Sequence, residues 1–159
     1  MLLPRQQLDY VFRKAGTARV NRRQAVMLDY RSTAQGPMQV TWRDECVSVE
    51  LPGRAVGRVW VNGDTGEVLR LDERLTGQFE IPVPAKQQRA GSPRSMIIER
   101  ADTSIRYAPV TFHDPDETIL MPASIETVQI IRDAGTPRLR MTQVFTNYRR
   151  FVTEGREVQ

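Results

Sequence analysis

A chain of 159 residues with 40% hydrophobic side chains has the size of one domain and enough apolar residues for an ordinary core. Its net charge of +4 comes almost entirely from arginine, because Lys14 and Lys86 are the only lysines, and this charge alone does not indicate nucleic acid as a partner. No stretch approaches the roughly 18 apolar residues of a transmembrane helix, and a single cysteine and a single histidine exclude an internal disulfide and most metal and triad chemistry.

The first fifty residues alternate between apolar and polar side chains in short segments separated by turn formers. The opening segment fits either a strand or a short helix, and we take it as a strand. Asn21-Arg22-Arg23 predicts a turn after it. The strands predicted in this region are 7–14, 26–31, 40–42 and 47–51.

The clearest element of the sequence is a β-hairpin at 57–75, in which turn formers at 62–66 separate two alternating segments. We predict a three-residue loop, 64–66, with Gly66 in the left-handed conformation of a type I turn followed by a G1 bulge. This loop places Val61 opposite Leu69 and Val59 opposite Leu71, so that one face of the hairpin is aliphatic.

The other face of the hairpin is polar and aromatic. The same register sets Trp60 opposite Arg70 and Arg58 opposite Asp72, so we expect Arg70 to lie over the indole ring and Arg58 to pair with Asp72. A four-residue loop would set Trp60 against Leu69 and mix the two faces, and the register argument therefore rejects it.

The second half of the chain begins with a long interruption at 77–95, rich in proline and glycine, which we predict to be a mobile loop. Within it, 81–84 is at best an edge strand because proline cannot donate to a ladder. Turns are predicted at 113–117 and 134–137. The strands predicted after the loop are 96–100, 104–112, 119–121, 124–132 and 138–151.

About eight to ten short strands with no predicted helix indicate an all-β fold, a single antiparallel domain over 1–159. A single sheet leaves one apolar face that must be covered, because burying one large aliphatic side chain contributes about 1.5–3 kcal/mol. The candidates for that cover are the curled chain itself, an upstream segment, a second copy or a ligand.

The hairpin resembles a motif of the lipoprotein-carrier superfamily, the LolA, LppX and RseB-like proteins of the bacterial cell envelope. Residues 60–70 match its pattern W-[IV]-[DN]-x-x-T-G-x-[PV]-x-[KR] through Trp60-Val61-Asn62 and Thr65-Gly66-Glu67-Val68-Leu69-Arg70. Three blocks also resemble, in the same order, an uncharacterised family of secreted bacterial proteins. These blocks are Gly57-Arg58-Val59-Trp60, the stretch 107–123, and Phe145-Thr146-Asn147-Tyr148-Arg149-Arg150-Phe151.

The resemblance implies a curved antiparallel half-barrel, a periplasmic or secreted location, and a concave side that accepts acyl chains in the carriers. Two features depart from the carriers: no helices that would cover the cavity are evident, and no signal peptide is evident. Both departures are explained if this chain is the C-terminal part of a longer protein, as we expect. The carriers have no catalytic residue to transfer to this chain.

We therefore expect a non-catalytic cell-envelope protein that binds an acyl chain, a lipoprotein or a protein partner through the concave apolar face. The residues predicted to form that face are Val59, Val61, Leu69, Leu71, Leu139, Met141 and Phe145. One alternative is a structural or oligomerisation module with no small ligand, closed by a partner or a second copy. A second alternative is an anionic-polymer binder that uses the surface arginines Arg138, Arg140 and Arg150.

The remaining candidate sites favour ordinary structural roles. The acidic turn at 113–117 has neither the number of ligands nor the turn glycine that a calcium loop needs. Cys46 follows Asp44 and Glu45, whose charges disfavour a thiolate, so we expect no catalytic dyad with His113. The sequence predicts no catalytic residue, no metal site and no cofactor.

Overall fold

The computed structural model of the protein describes residues 7–44, 46–88, 91, 93–113 and 115–150. The chain is all-β, and a 3₁₀ turn at Ala85–Gln87 interrupts its second half. The strands are β1 (Tyr10–Val20), β2 (Arg23–Ser32), β3 (Gln39–Arg43), β4 (Cys46–Glu50), β5 (Ala55–Asn62), β6 (Val68–Leu75), β7 (Phe79–Pro82), β8 (Ser95–Phe112), β9 (Glu117–Arg132) and β10 (Arg138–Val144).

Eight strands form one antiparallel sheet in the order β1-β2-β5-β6-β8-β9-β10, with β7 paired to the first part of β8 beside β6. The hairpin β3-β4 forms a separate two-stranded sheet. The outermost strands β1 and β10 do not pair with each other, so the sheet is not closed into a barrel. The predicted all-β antiparallel fold is confirmed.

The central hairpin β5-β6 follows the predicted register with one exception. Arg58, Trp60 and their neighbour Val59 pair as predicted, but Val61 lies opposite Val68 and the prediction of Leu69 there is wrong. The loop has four residues, 63–66, since the Asn62 N–H donates to the Glu67 carbonyl oxygen over 2.8 Å. A bulge on β6 then restores the register, so a four-residue loop does not mix the faces after all.

Cross-strand register divides the main sheet into two chemically different faces. One row, Leu28-Val59-Leu71-Ile105-Ile125, crosses five strands from β2 to β9 and defines the apolar face. The next row, Asp29-Arg58-Asp72-Ser104-Glu126, crosses the same strands on the opposite side and defines the polar face. Trp60 belongs to the polar face, as predicted, because successive side chains of a strand point to opposite sides.

The core is thin because one sheet supplies most of it. The buried hydrophobic residues of the described chain include the central residues of the apolar face, and they are Ala25, Tyr30, Val59, Leu69, Leu71, Ile81 and Ile98. The Tyr10 and Phe12 rings of β1 lie 5.7 and 6.0 Å from the Tyr30 ring, but Phe12 remains 39% exposed. The central strands are therefore packed, while β10 is exposed along its whole length.

The strands of the second half are longer than predicted. β8 runs without a break through Ala101-Asp102-Thr103, because all three pair with β9 and the last two also pair with β6. β9 likewise continues through Pro122, which lies at a bulge opposite Tyr107. In contrast, the last predicted strand is shorter: β10 ends at Val144, and Phe151 lies outside the described residues.

The segment predicted as a mobile loop, 77–95, contains β7 and the 3₁₀ turn. β7 is an edge segment that pairs only with β8, as the prolines allow. Its Ile81 is 1% exposed, the lowest value among the large buried side chains. The prolines made this segment resemble a loop in the sequence, but it contains a short strand that packs Ile81 into the core.

Candidate functional site

An open cleft of about 760 Å³ lies on the polar face of the main sheet. It extends over five adjacent strands, from β2 through β5, β6 and β8 to β9. Most of the residues around it are polar-face residues, and the charged or aromatic ones of that face are Asp29, Arg58, Trp60, Arg70, Asp72, Arg74, Arg100, Asp102, Arg106 and Glu126.

The first charged group in the cleft is the pair Arg58–Asp29, formed by residues directly opposite each other on β5 and β2. The Arg58 Nε donates to Asp29 Oδ1 over 2.6 Å, and the second guanidinium nitrogen donates to Oδ2 over 3.1 Å. This bidentate bond lowers the pKa of Asp29 and raises the pKa of Arg58. The predicted ion pair between Arg58 and Asp72 is therefore wrong. The two residues lie opposite each other as predicted, but Arg58 bonds to Asp29 on the neighbouring strand β2.

Asp72 is held by a different partner, Arg70, two residues earlier on the same face of β6. The two carboxylate oxygens accept from Arg70 over 2.9 and 2.6 Å, and the Ser104 hydroxyl donates to Oδ1 over 2.7 Å. The Arg70 guanidinium carbon also lies 4.6 Å from the centre of the Trp60 ring, which confirms the predicted cation–π contact. Arg70 is thus fixed from two sides.

The other polar-face carboxylates around the cleft are paired as well. Asp102 accepts from Arg100 over 2.6 Å, and Glu126 pairs with Arg140 on β10 over 2.6 Å. The Glu73 carboxylate lies on the apolar face and accepts a hydrogen bond from the Tyr30 hydroxyl over 2.9 Å. Burial, followed by the charge of Glu73, raises the pKa of Tyr30.

Two arginines of the cleft, Arg74 and Arg106, have no ion-pair partner among the described residues. Arg106 on β8 lies directly opposite Arg70 on β6. Like charges in this position destabilise an antiparallel sheet. Because each polar-face carboxylate is paired with another arginine, the positive charges of Arg74 and Arg106 are not offset by an ion pair with a described residue.

The structure separates the residues predicted to bind a ligand on the apolar face into two groups. Val59, Leu69 and Leu71 are buried, with 3 to 6% exposure, and Val61 beside them is partly buried. The other predicted residues lie at the sheet edge, on β10 or just after it, and are 38 to 45% exposed: Leu139, Met141 and Phe145. The seven residues share a face by alternation, but the cleft lies on the opposite face.

The predicted anion-binding arginines are not brought together either. Arg138 and Arg140 lie side by side on β10 and share the polar face with the cleft, where Arg140 pairs with Glu126. Arg150 pairs with Glu117, at the start of β9, whereas Arg138 lies opposite Ile130 near its end. The strand between these points spans roughly 40 Å.

A smaller cavity of about 400 Å³ lies where the chain leaves β10. Phe145 and Tyr148 line it together with Met121 and Ala123 of β9 and the Pro109 region of β8. The Phe145 N–H donates to the Ala123 carbonyl oxygen, and the Tyr148 hydroxyl donates to the Pro122 carbonyl oxygen. These bonds hold residues 145–148 along β9. The cavity is therefore the gap left where this segment packs against β8 and β9.

The other sequence candidates lie apart from the cleft. Cys46 is exposed at the start of β4, and His113 bonds to Asp116 over 2.8 Å in the turn between β8 and β9, where Asp114 is outside the described residues. Within the described ranges, no three His, Cys, Asp or Glu side chains gather so as to hold a metal ion. No helix in that part of the chain has the length and hydropathy of a membrane crossing.

The sequence predicted the contact between Arg70 and Trp60 but named no site on this part of the polar face, so it missed Arg74 and Arg106. The alternation of β8 was readable, yet the pairing of β8 with β6 joins segments about thirty residues apart, and only that pairing sets Arg106 against Arg70. Comparison with family models, curated proteins and solved structures finds no match.

Proposed function

We propose that this protein is a non-catalytic binding protein that takes an anionic polymer into the cleft of its polar face. The observation that carries the proposal is Arg106, which has no ion-pair partner among the described residues and lies opposite Arg70, the arginine that covers Trp60. Asp72 offsets the charge of Arg70, and an anionic group placed against Arg106 would offset the charge that remains. The four polar-face carboxylates of the cleft each pair with an arginine, and Glu73 accepts from the Tyr30 hydroxyl on the apolar face, so a ligand on the polar face meets no unpaired carboxylate of that face.

The dimensions of the cleft favour a polymer over a single small anion. Five strands spaced about 4.8 Å apart give a channel roughly 20 Å across the sheet. A chain of anionic groups lying in it reaches Arg74 as well as Arg106, which lie on neighbouring strands about four residues apart in register. The indole of Trp60 adds an apolar surface beside the charges.

The test is calorimetric titration with dextran sulfate, with neutral dextran as the ligand control. We expect Arg106→Gln to weaken binding by about tenfold or more, because a charge-assisted hydrogen bond contributes roughly 1.5–3 kcal/mol. The same change removes the repulsion with Arg70, so the free variant should melt at a slightly higher temperature than the parent chain. Arg150→Gln is the matched control, since Arg150 is a surface arginine far from the cleft, and it should leave binding unchanged.

Three results count against the proposal. If dextran sulfate gives no more heat than neutral dextran, the cleft is not an anion site. If Arg106→Gln and Arg150→Gln weaken binding equally, the attraction comes from overall charge and not from the cleft. Loss of binding together with a lower melting temperature for Arg106→Gln would mean that Arg106 acts only through the fold.

A second candidate function is the binding of an acyl chain or a lipoprotein, for which a periplasmic or secreted location is also proposed. It is favoured by the exposure of Leu139 and Met141 on the apolar face at the sheet edge, 45% and 41%, and by the resemblance of the hairpin to the lipoprotein carriers. We expect uptake of a fluorescent fatty acid to fall at least severalfold in Met141→Ser. The control Ile119→Ser replaces an equally exposed apolar residue of β9 and should bind normally, and no uptake by the parent chain would remove this candidate.

A further inference from the structure

The outer edge of β10 carries backbone groups that no strand of the described chain uses. Two hydrogen bonds fix which residues point toward β9: the Ile131 N–H donates to the Pro137 carbonyl oxygen, and the Phe145 N–H donates to the Ala123 carbonyl oxygen. Both belong to the same antiparallel register as β10 itself. Since hydrogen-bonding direction alternates along a strand, the residues that point outward are Arg138, Arg140, Thr142 and Val144.

We infer that β10 pairs with β10 of a second copy of this chain, antiparallel and centred on Met141. In this register Arg138 lies opposite Val144 of the other copy and Arg140 lies opposite Thr142 of the other copy. All four outward residues of each copy then form hydrogen-bonded pairs. The arrangement is isologous, as expected for a two-fold dimer.

Charge and the number of paired residues favour this register over the two registers that are shifted by one hydrogen-bonded step. Moving the two strands by one hydrogen-bonded step in one direction centres the pairing on Arg140 and sets two arginines opposite each other, which is unfavourable. The step in the other direction leaves Arg138 without a partner. The Met141-centred register is therefore the only one of the three that pairs every outward residue and sets no arginine against another.

Charge also distinguishes a second β10 from β1, the other outermost strand of the sheet. β1 carries Arg13, Lys14 and Arg19, and a register shift at Lys14 and Gly16 interrupts its pairing geometry. Pairing β10 with β1 of another copy would bring basic residues together and would extend without closure. Pairing β10 with β10 closes after two copies.

The dimer also accounts for exposed apolar residues at this edge. Val144 is 70% exposed and Met141 is 41% exposed in the single chain. In the inferred register Met141 packs against Met141 of the other copy on the apolar face. Val144 packs against the aliphatic stem of Arg138 of the other copy on the polar face.

The first experiment measures the molar mass by light scattering across a concentration series, with Thr142→Pro as the test variant. The Thr142 N–H points outward, so proline there removes a bond between copies without removing one to β9. We expect the parent chain and the control Thr142→Ala to dimerise and Thr142→Pro to remain a monomer with an unchanged far-ultraviolet dichroism spectrum. A parent chain that is monomeric at every concentration, or a Thr142→Pro dimer, would overturn the inference.

The second experiment tests the register at Val144, whose partner within the chain is the uncharged Ser124. Val144→Arg sets like charges opposite Arg138 twice, and we expect the dimer dissociation constant to rise about tenfold or more. Val144→Glu sets opposite charges there and should lower the constant. Equal effects of the two changes would contradict the register, and an unaffected dimer would place the interface on another surface.

Discussion

Gly57 illustrates a residue whose role depends on a neighbour from another strand. The Tyr30 ring on β2 lies over Gly57, its cross-strand partner on β5. A Cβ atom at position 57 would come within 2.5 Å of the Tyr30 ring and hydroxyl oxygen, and closer still to the Asp72 carbonyl oxygen. The backbone at Gly57 needs no positive φ, so the glycine is required for space. An aromatic ring covering a glycine in this way also compensates for the missing side chain.

We expect Gly57→Ala to destabilise the protein by roughly 3 kcal/mol, because overpacking against a backbone carbonyl forces the strand to move. Chemical denaturation monitored by fluorescence measures this change. Gly135→Ala is the control, since a Cβ there meets nothing within 4 Å, and it should be close to neutral. Equal stability of the two variants would show that Tyr30 does not lie over Gly57.

Side-chain contacts within the hairpin were predictable where no neighbouring strand offered a competing partner. Arg70 was expected over Trp60 and is found there, because both belong to the hairpin and the register fixes them. Arg58 was expected on Asp72 but bonds to Asp29, which approaches from β2 at the same level. A hairpin taken alone cannot reveal which of two equally placed carboxylates an arginine uses.

β7 shows how proline composition misled the prediction for an element. Pro82 and Pro84 made 77–95 look like a loop, yet Phe79–Pro82 pairs with β8 and Ile81 packs into the core. The long strands β8 and β9 were divided in the prediction at Ala101 and at Pro122. In the sheet, neighbours on both sides of β8 and the bulge at Pro122 keep these strands continuous.

Ile81→Ala should destabilise the protein by about 2–5 kcal/mol, as expected for truncating a fully buried isoleucine. Thermal or urea unfolding measures the loss. Glu80→Ala, on the same strand but exposed, should change stability by no more than about 0.5 kcal/mol. An Ile81→Ala cost as small as that of the control would mean that β7 does not dock against β8 in solution.

Across the whole molecule, two faces of one sheet have different chemistry. The alternation of short segments predicted both faces and the all-β class, because period-two patterns depend only on neighbours in sequence. The concave side was predicted on the apolar face, from the resemblance to the lipoprotein carriers and not from the alternation. Which face carries the cleft depends on how β2, β5, β6, β8 and β9 assemble, and the resulting cleft lies on the polar face.

The same assembly decides which arginines matter. The sequence predicted an anion site at three arginines that are close in sequence, Arg138, Arg140 and Arg150. In the structure Arg140 pairs with Glu126 and Arg150 pairs with Glu117. Arg74 and Arg106 are separated by a long stretch of sequence, and only the β6-β8 pairing brings them into one cleft. Sequence proximity was a poor guide to the site for this physical reason.

The salt dependence of dextran sulfate binding tests the central claim most directly. The logarithm of the association constant should fall linearly with the logarithm of salt concentration, and Arg106→Gln should reduce that slope by about one, as one fewer guanidinium meets the polymer. Arg150→Gln should keep the parent slope. Identical slopes for the parent chain and Arg106→Gln would contradict an anion site between Arg70 and Arg106.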